Sequence, residues 1–292
     1  MTIARYSSEV LLEFDAAVGE GPVWSAPRRE LSWVDITAGN WHRTSVDTGA
    51  TRTVNLPTMI GAISPALDGG WVAAGTEGFV ALNDDGQVRR RLHVLPEPRV
   101  RMNDAKCDSV GRLWSGSNAI DFSTGRGRIH RLDGDWSSHV LVHGMTLPNG
   151  LGFSPDDRRF YLIDSLTHIL FEFDFDRDDG AITNQRVLVE WESGLIPDGA
   201  CVDADGGIWV ALWGSGVVQR YSASGVLIGE LACPVGQPSS CAFLDGTSLV
   251  ITSARQGMGD AQLEAEPLAG SLFVADVGVE GVPVAPFSGP TA

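Results

Sequence analysis

The chain has 292 residues, with 37 acidic against 21 basic side chains and a formal charge of −16. That balance argues against nucleic acid or an anionic membrane as partner, since both need a basic surface, and no apolar run approaches the ~18 residues of a membrane span. With 43% apolar residues the chain can bury a large core instead of staying disordered.

The N-terminal MTIARYSSEVLLEFD carries acids where a secretory leader needs an unbroken apolar stretch, so a cytoplasmic location is expected. From Glu20 onward a unit recurs: a short strand, a tight turn and a second, aromatic-rich strand. The copies are EGPVWSAPRRELSWVD from Glu20, GAISPALDGGWVAAG from Gly61 and NDAKCDSVGRLWSGS from Asn103. They continue as NGLGFSPDDRRFYLID from Asn149, DGACVDADGGIWVAL from Asp198 and SCAFLDGTSLVITSA from Ser240. Their starts lie 41, 42, 46, 49 and 42 residues apart. Gly, Pro, Asp and Asn supply the turn in each copy. Most copies go on through two further strand-like runs, as in GRIHRLDGDWSSHVLVHG and GVVQRYSASGVLIGELACP. No stretch of useful length has helical periodicity.

Each unit is therefore about four antiparallel strands, and a period in the ~40–50 residue range fits a propeller blade. The expectation is an all-β, six-bladed β-propeller filling residues 1–292 as a single domain; a β-sandwich array explains a single period less well. SEVLLEF completes the last blade and leaves no open edge strand. After Val279 only a Gly/Pro-rich tail remains. The four cysteines, with no paired spacing and no His at metal-ligand spacing, read as reduced, buried thiols, and the six histidines, at no equivalent repeat position, as core or surface residues.

In a propeller the first strand of each blade lines the central channel, so equivalent positions meet at one end of it. The first residues of the copies are Glu20, Gly61, Asn103, Asn149, Asp198 and Ser240. Glu20, Asn149 and Asp198 are each followed by Gly, which lets backbone approach closely. Carboxylates gathered in one small volume repel unless a cation neutralises them. Glu20, Asn149 and Asp198 are therefore expected to hold one divalent metal at that end of the channel. All-oxygen ligation favours Ca²⁺, with Mg²⁺, Mn²⁺, Zn²⁺ or Fe²⁺ as alternatives. Against this, turns alone favour Asp and Asn at strand starts. Arg101, two residues before Asn103, stands at the channel mouth, where it holds ligand oxygens or makes a surface ion pair. Trp213, Asn118 and Asp121 fall in loops facing the same rim and either shape a pocket or fill those loops. No G-x-S-x-G elbow, H-E-x-x-H or phosphate-binding loop is present.

The stretches GEGPVW, RMNDAKCDSVGRLWSGS, LPNGLGFSPDDRRFYLIDS, IPDGACVDADGGIWVALWGSG and ITSARQGMGD with PLAGSLFVAD stand in the order and spacing of a known family. From about residue 10 to 282 the chain resembles the SMP-30/gluconolactonase/luciferin-regenerating enzyme (regucalcin-like) family. The resemblance implies a six-bladed propeller with one divalent metal on Glu20, Asn149 and Asp198, Asp198 as general base, and Arg101 and Asn103 as substrate-binding residues. Animal members add an acid from the loop after the third-repeat G-[ST]. Here that loop, NAIDFSTGRG, is shorter, and Asp121 is the candidate for that acid.

The activity expected is metal-dependent hydrolysis of a sugar (aldono) lactone to its aldonic acid, of gluconolactonase or xylonolactonase type. The alternatives are an organophosphate or non-sugar lactone hydrolase on the same site, favoured by an apolar rim, and a non-catalytic calcium-binding propeller. The partner is a small-molecule sugar lactone, with the chain a monomer or loose homodimer.

Overall fold

In the computed structural model, which describes residues 3–56 and 58–292, two short N-terminal strands, β1 (Ala4–Ser7) and β2 (Glu9–Leu12), precede the first blade. Blade one is β3 (Gly19–Ser25), β4 (Glu30–Asp35), β5 (Asn40–Ser45) and β6 (Thr51–Asn55). Blade two is β7 (Ile60–Pro65), β8 (Trp71–Gly75), β9 (Gly78–Leu82) and β10 (Val88–His93). Blade three is β11 (Val100–Cys107), β12 (Leu113–Ala119), β13 (Gly127–Leu132) and β14 (Ser138–Met145). Blade four is β15 (Pro148–Phe153), β16 (Arg159–Asp164), β17 (Ile169–Phe175) and β18 (Ile182–Glu190). Blade five is β19 (Ile196–Val202), β20 (Ile208–Trp213), β21 (Val217–Tyr221) and β22 (Leu227–Ala232). The last blade takes β23 (Pro238–Phe243), β24 (Ser248–Ser253) and β25 (Leu272–Asp276) from the C-terminal side and β2 from the N-terminus.

The fold is the six-bladed propeller that the repeat predicts. The first strands of the blades neighbour one another in cyclic order, with β23 returning to β3. SEVLLEF closes the ring as expected: β2 pairs antiparallel with β25, Val10 opposite Phe273 and Leu12 opposite Leu272. N-terminal and C-terminal strands thus share one sheet, and β25 is not left as an open edge. Two features were not read from the sequence. β1 adds to blade five as a parallel fifth strand beside β22, and a six-residue helix, α1 (Asp260–Ala265), interrupts the last blade. That helix is too short to show a period and buries no residue. No helix among the described residues is long and apolar enough to cross a membrane.

The repeat pattern has a packing cause. Buried apolar side chains form six clusters, one between each pair of adjacent blades, so each blade buries both faces against its neighbours. Tryptophans of the second strands fill these layers, and a buried indole N–H needs an acceptor. Aspartates at the turns supply it: Asp108 Oδ2 accepts from Trp114 Nε1 at 3.0 Å, and Asp203 Oδ2 from Trp209 Nε1 at 2.8 Å. The other oxygen of each accepts turn amides, from Arg112 and Gly207. The DSVGRLW and DADGGIW spacings are therefore one device used twice. Three of the four thiols, Cys107, Cys201 and Cys241, are buried, Cys233 is half-buried, and all are free. His42 and His130 lie in the core.

The tail after Val279 crosses the channel end opposite the strand starts. Its backbone bonds to Pro65 and Leu67 of blade two and to Gly111 of blade three, and Phe287 is completely buried.

Candidate active site and metal centre

Every inner strand carries a β-bulge at the repeat position singled out above. The register slips between Glu20 and Val23, Ile60 and Ala62, Met102 and Ala105, Asn149 and Gly152, Pro197 and Ala200, and Pro238 and Ser240. A bulge twists the strand and re-aims its side chains, and in four of the six blades the residue at or beside it, Glu20, Asn103, Asn149 or Asp198, lines the cavity at that end of the channel. The glycines serve this directly. Gly21 and Gly150 have φ of +54° and +47°, the left-handed region that suits glycine. A Cβ on Gly199 would lie 2.1 Å from Ser240 Oγ.

Glu20, Asn103, Asn149 and Asp198 come together as the buried floor of a cavity of about 330 Å³. Arg101 Nη1 donates to Asn103 Oδ1 at 2.7 Å and to Met102 O at 2.9 Å. Asn103 Nδ2 donates to Pro148 O at 2.9 Å and to Asn149 Oδ1, and Asn149 Nδ2 donates to Ser165 Oγ at 2.8 Å. The amides of blades three and four are thus locked in one chain of bonds.

Burial pushes the Glu20 carboxyl well above its ordinary range; Asp198 and Asp104 add to the rise, and the Gly21 N–H and Arg101 oppose it. Burial likewise raises Asp198, with Asp104 adding and Arg101 and Asn149 opposing. Desolvation brings Arg101 down to about 10, which leaves it charged at neutral pH. Two buried, hard carboxylate oxygen donors with an amide beside them, short of positive charge, are the condition that a divalent cation relieves. The donor set fits such an ion. Among the described residues no three His, Cys, Asp or Glu side chains are arranged to grip a metal, and the side-chain oxygen beside the two carboxylates is that of the Asn149 amide.

Side chains two residues before the floor positions point the same way, and they form a collar of Val18, Arg101, Leu147 and Ile196. Above it Ile36, Phe122, Leu166, Trp213 and Gln256, from the ends of second strands and the loops after them, make the mouth. Trp213 therefore lines the pocket. Asn118 is fully buried beside Arg101 in the β11–β12 pair and does not line it. Asp121 does not line it either: exposed, it accepts from Ser123 N at 3.2 Å and Ser123 Oγ, while its neighbour Phe122 faces the cavity. A short loop that turns back after one residue spends the Asp carboxylate on its own turn.

Three supporting acids went unnoticed in the sequence. Asp35 accepts from Ala17 N at 2.7 Å and Val18 N at 3.1 Å; Asp164 accepts from Thr146 N at 2.8 Å and Leu147 N at 2.9 Å. Each fixes the backbone just ahead of Glu20 or Asn149. Their signal was the shared ending of WVD and LID in copies one and four. Asp104, also buried, is raised by desolvation and lowered by Lys106, the only lysine of the chain, and by the amides of Ala105, Leu151 and Gly150. It ties blade three to the bulge that carries Asn149.

Residues 18–255 match the family model described as SMP-30/Gluconolactonase/LRE-like region. The chain belongs to this family. It is similar to the pentonolactonase of Haloferax volcanii, 33% identical over 97% of both chains, and to the 6-deoxy-6-sulfogluconolactonase of Pseudomonas putida, 33% identical over 94% of this chain and 96% of that one. Among solved structures it superposes on a calcium-binding protein, regucalcin, from Agrobacterium tumefaciens with a TM-score of 0.93, at 27% identity over 98% of this chain and 99% of that one. That likeness spans the whole ring.

Proposed function

We propose that the protein is a metal-dependent lactonase that opens an aldonolactone to its aldonic acid. The observation that carries this is the meeting of Glu20, Asn149, Asp198 and Asn103 on one buried floor with Arg101 directly above it. The names of the lactonase relatives support the same reaction. Glu20, Asn149 and Asp198 would hold the ion, and the regucalcin likeness favours Ca²⁺ among the hard ions.

A bound divalent ion would supply Lewis acidity toward the lactone carbonyl oxygen. Asp198 takes a proton from the attacking water, whose oxygen bonds to the carbonyl carbon. As the ring carbon–oxygen bond breaks, Asp198 passes that proton to the departing ring oxygen. Arg101 and Asn103 orient the hydroxyl next to the carbonyl, which affects rate as well as binding.

The test joins calorimetry to turnover. Chelator-treated protein should bind one divalent ion per chain and regain hydrolysis of glucono-, xylono-, galactono- or arabinonolactone. If every lactone opens at the background rate with each metal supplied, the hydrolase assignment is wrong. If the ion binds and raises the melting temperature with no turnover, the non-catalytic calcium-binding alternative takes its place. The apolar collar and mouth favour substrates less polar than a fully hydroxylated sugar, a point in favour of the non-sugar lactone alternative.

A further inference from the structure

The walls of the cavity differ in kind from its floor. The floor holds the two buried carboxylates, the two amides and the Ser165 hydroxyl that accepts from Asn149, whereas three of the four collar residues, all but Arg101, and four of the five mouth residues are apolar. Arg101 is the only cation among the described lining residues, and its Nη1 is turned to the floor by Asn103 and Met102. Gln256, exposed, is the one polar side chain of the mouth.

Phe122 adds an independent sign. It sits at φ +56°, a region that bulky residues avoid and that Asn or Gly adopts readily. It is also 43% exposed, and Leu166 across the same mouth is 40% exposed. An aromatic side chain kept in a strained backbone and left facing water points to a ligand that covers it.

We infer, resting on the lactonase activity proposed above, that the substrate is an aldonolactone whose far carbon ends in a methyl group, a deoxy sugar lactone. The polar head, carbonyl and adjacent hydroxyl, meets the floor and Arg101. The far end meets Phe122, Leu166 and Trp213. A terminal hydroxyl there loses its water and gains no fixed partner, while a methyl gains apolar contact. A sulfonate or phosphate at that carbon would call for a second cation, and the described lining has none. One such group in an apolar pocket is worth about 10–200-fold in discrimination.

The experiment compares two matched pairs, L-rhamnonolactone with L-mannonolactone and L-fuconolactone with L-galactonolactone, each differing by one terminal hydroxyl. Hydrolysis is followed at constant pH with metal-loaded protein. Binding of the four corresponding aldonate anions is measured by calorimetry. The methyl-ended member should lead in kcat/KM by about tenfold or more in at least one pair, and its aldonate should bind more tightly. Phe122→Asn, which suits the left-handed backbone and so should keep the fold, should bring that ratio toward one. Equal or reversed preference in both pairs overturns the inference, and an unchanged ratio in Phe122→Asn removes the aromatic wall as its cause. If no lactone opens while methyl-ended aldonates still bind more tightly, the hydrolase assignment fails and the pocket's selectivity stands. Brisk hydrolysis with no methyl preference gives the opposite division.

Discussion

The proposed mechanism gives Asp198, buried on the cavity floor, two tasks, to hold a cation and to move a proton. Asp198→Asn keeps an oxygen for the ion but cannot accept the proton. Turnover should fall about 10²–10⁴-fold while calorimetry still detects a bound metal; full activity would remove Asp198 from the base role. Burial sets the chemistry of residues away from the site as well. Desolvation, with Arg128 and His143 adding, brings His130 down to about 4, and its Nε2 meets Ser117 Oγ at 2.9 Å. A histidine whose folded pKa lies below its unfolded value contributes stability that is complete above about 6.5 and is lost as pH falls toward 4. Over that window the wild type should lose roughly 3 kcal/mol relative to His130→Gln, read from urea midpoints at each pH. Parallel curves for the two proteins would mean that His130 is not desolvated in solution. Glu20, Asn149 and Asp198 were legible as a set because the repeat aligns them. The Asp121 placement was not, since one turn decides whether a loop carboxylate faces a pocket or its own backbone.

At the scale of elements, the bulged inner strand is the unit that makes the site. It works only where neighbouring blades approach to backbone contact, and the second repeat shows this most sharply. A Cβ on Gly61 would lie 2.4 Å from the carbonyl oxygen of Asn103. Gly61→Ala should therefore push blades two and three apart and shift Asn103. The expected cost is about 1–3 kcal/mol of stability with a raised KM for lactone, measured by denaturant unfolding and steady-state kinetics. A variant with wild-type stability and KM would show that the floor tolerates such a shift. The strands themselves could be read from alternation and turn residues, and so could closure by SEVLLEF. β1 and α1 could not: four residues beside another blade's edge and six helical residues carry too little pattern.

For the whole molecule, the ring is sealed from both ends of the chain. β2 zips the last blade, and the tail holds the far end of the channel, where Trp136 Nε1 donates to Pro290 O at 2.7 Å and Thr291 N donates to Asp68 Oδ2 at 2.6 Å. Phe287 enters the cluster between blades two and three against Trp136. Phe287→Ala should cost about 3–5 kcal/mol and lower the melting temperature by roughly 10 °C, with metal affinity at the opposite end little changed. An unaltered melting curve would mean that the tail only lies on the surface. The sequence showed this segment as no more than Gly- and Pro-rich, because anchoring by a single buried aromatic leaves no periodic trace.

What the amino-acid order alone determined is the ring and the identity of its floor. A period near 44 residues leaves few folds that bury each unit, and a ring brings every copy's first residue to one axis. The order of residues did not contain the nature of the walls. Val18 and Leu147 just precede their inner strands and Ile196 opens its own, so along the chain they read as ordinary apolar positions, and only closure of the ring turns them into one apolar collar. The same holds for Asp35, Asp104 and Asp164, whose partners are backbone amides brought to them by packing. Contacts between blades depend on distances across the channel, and no spacing along a chain encodes those.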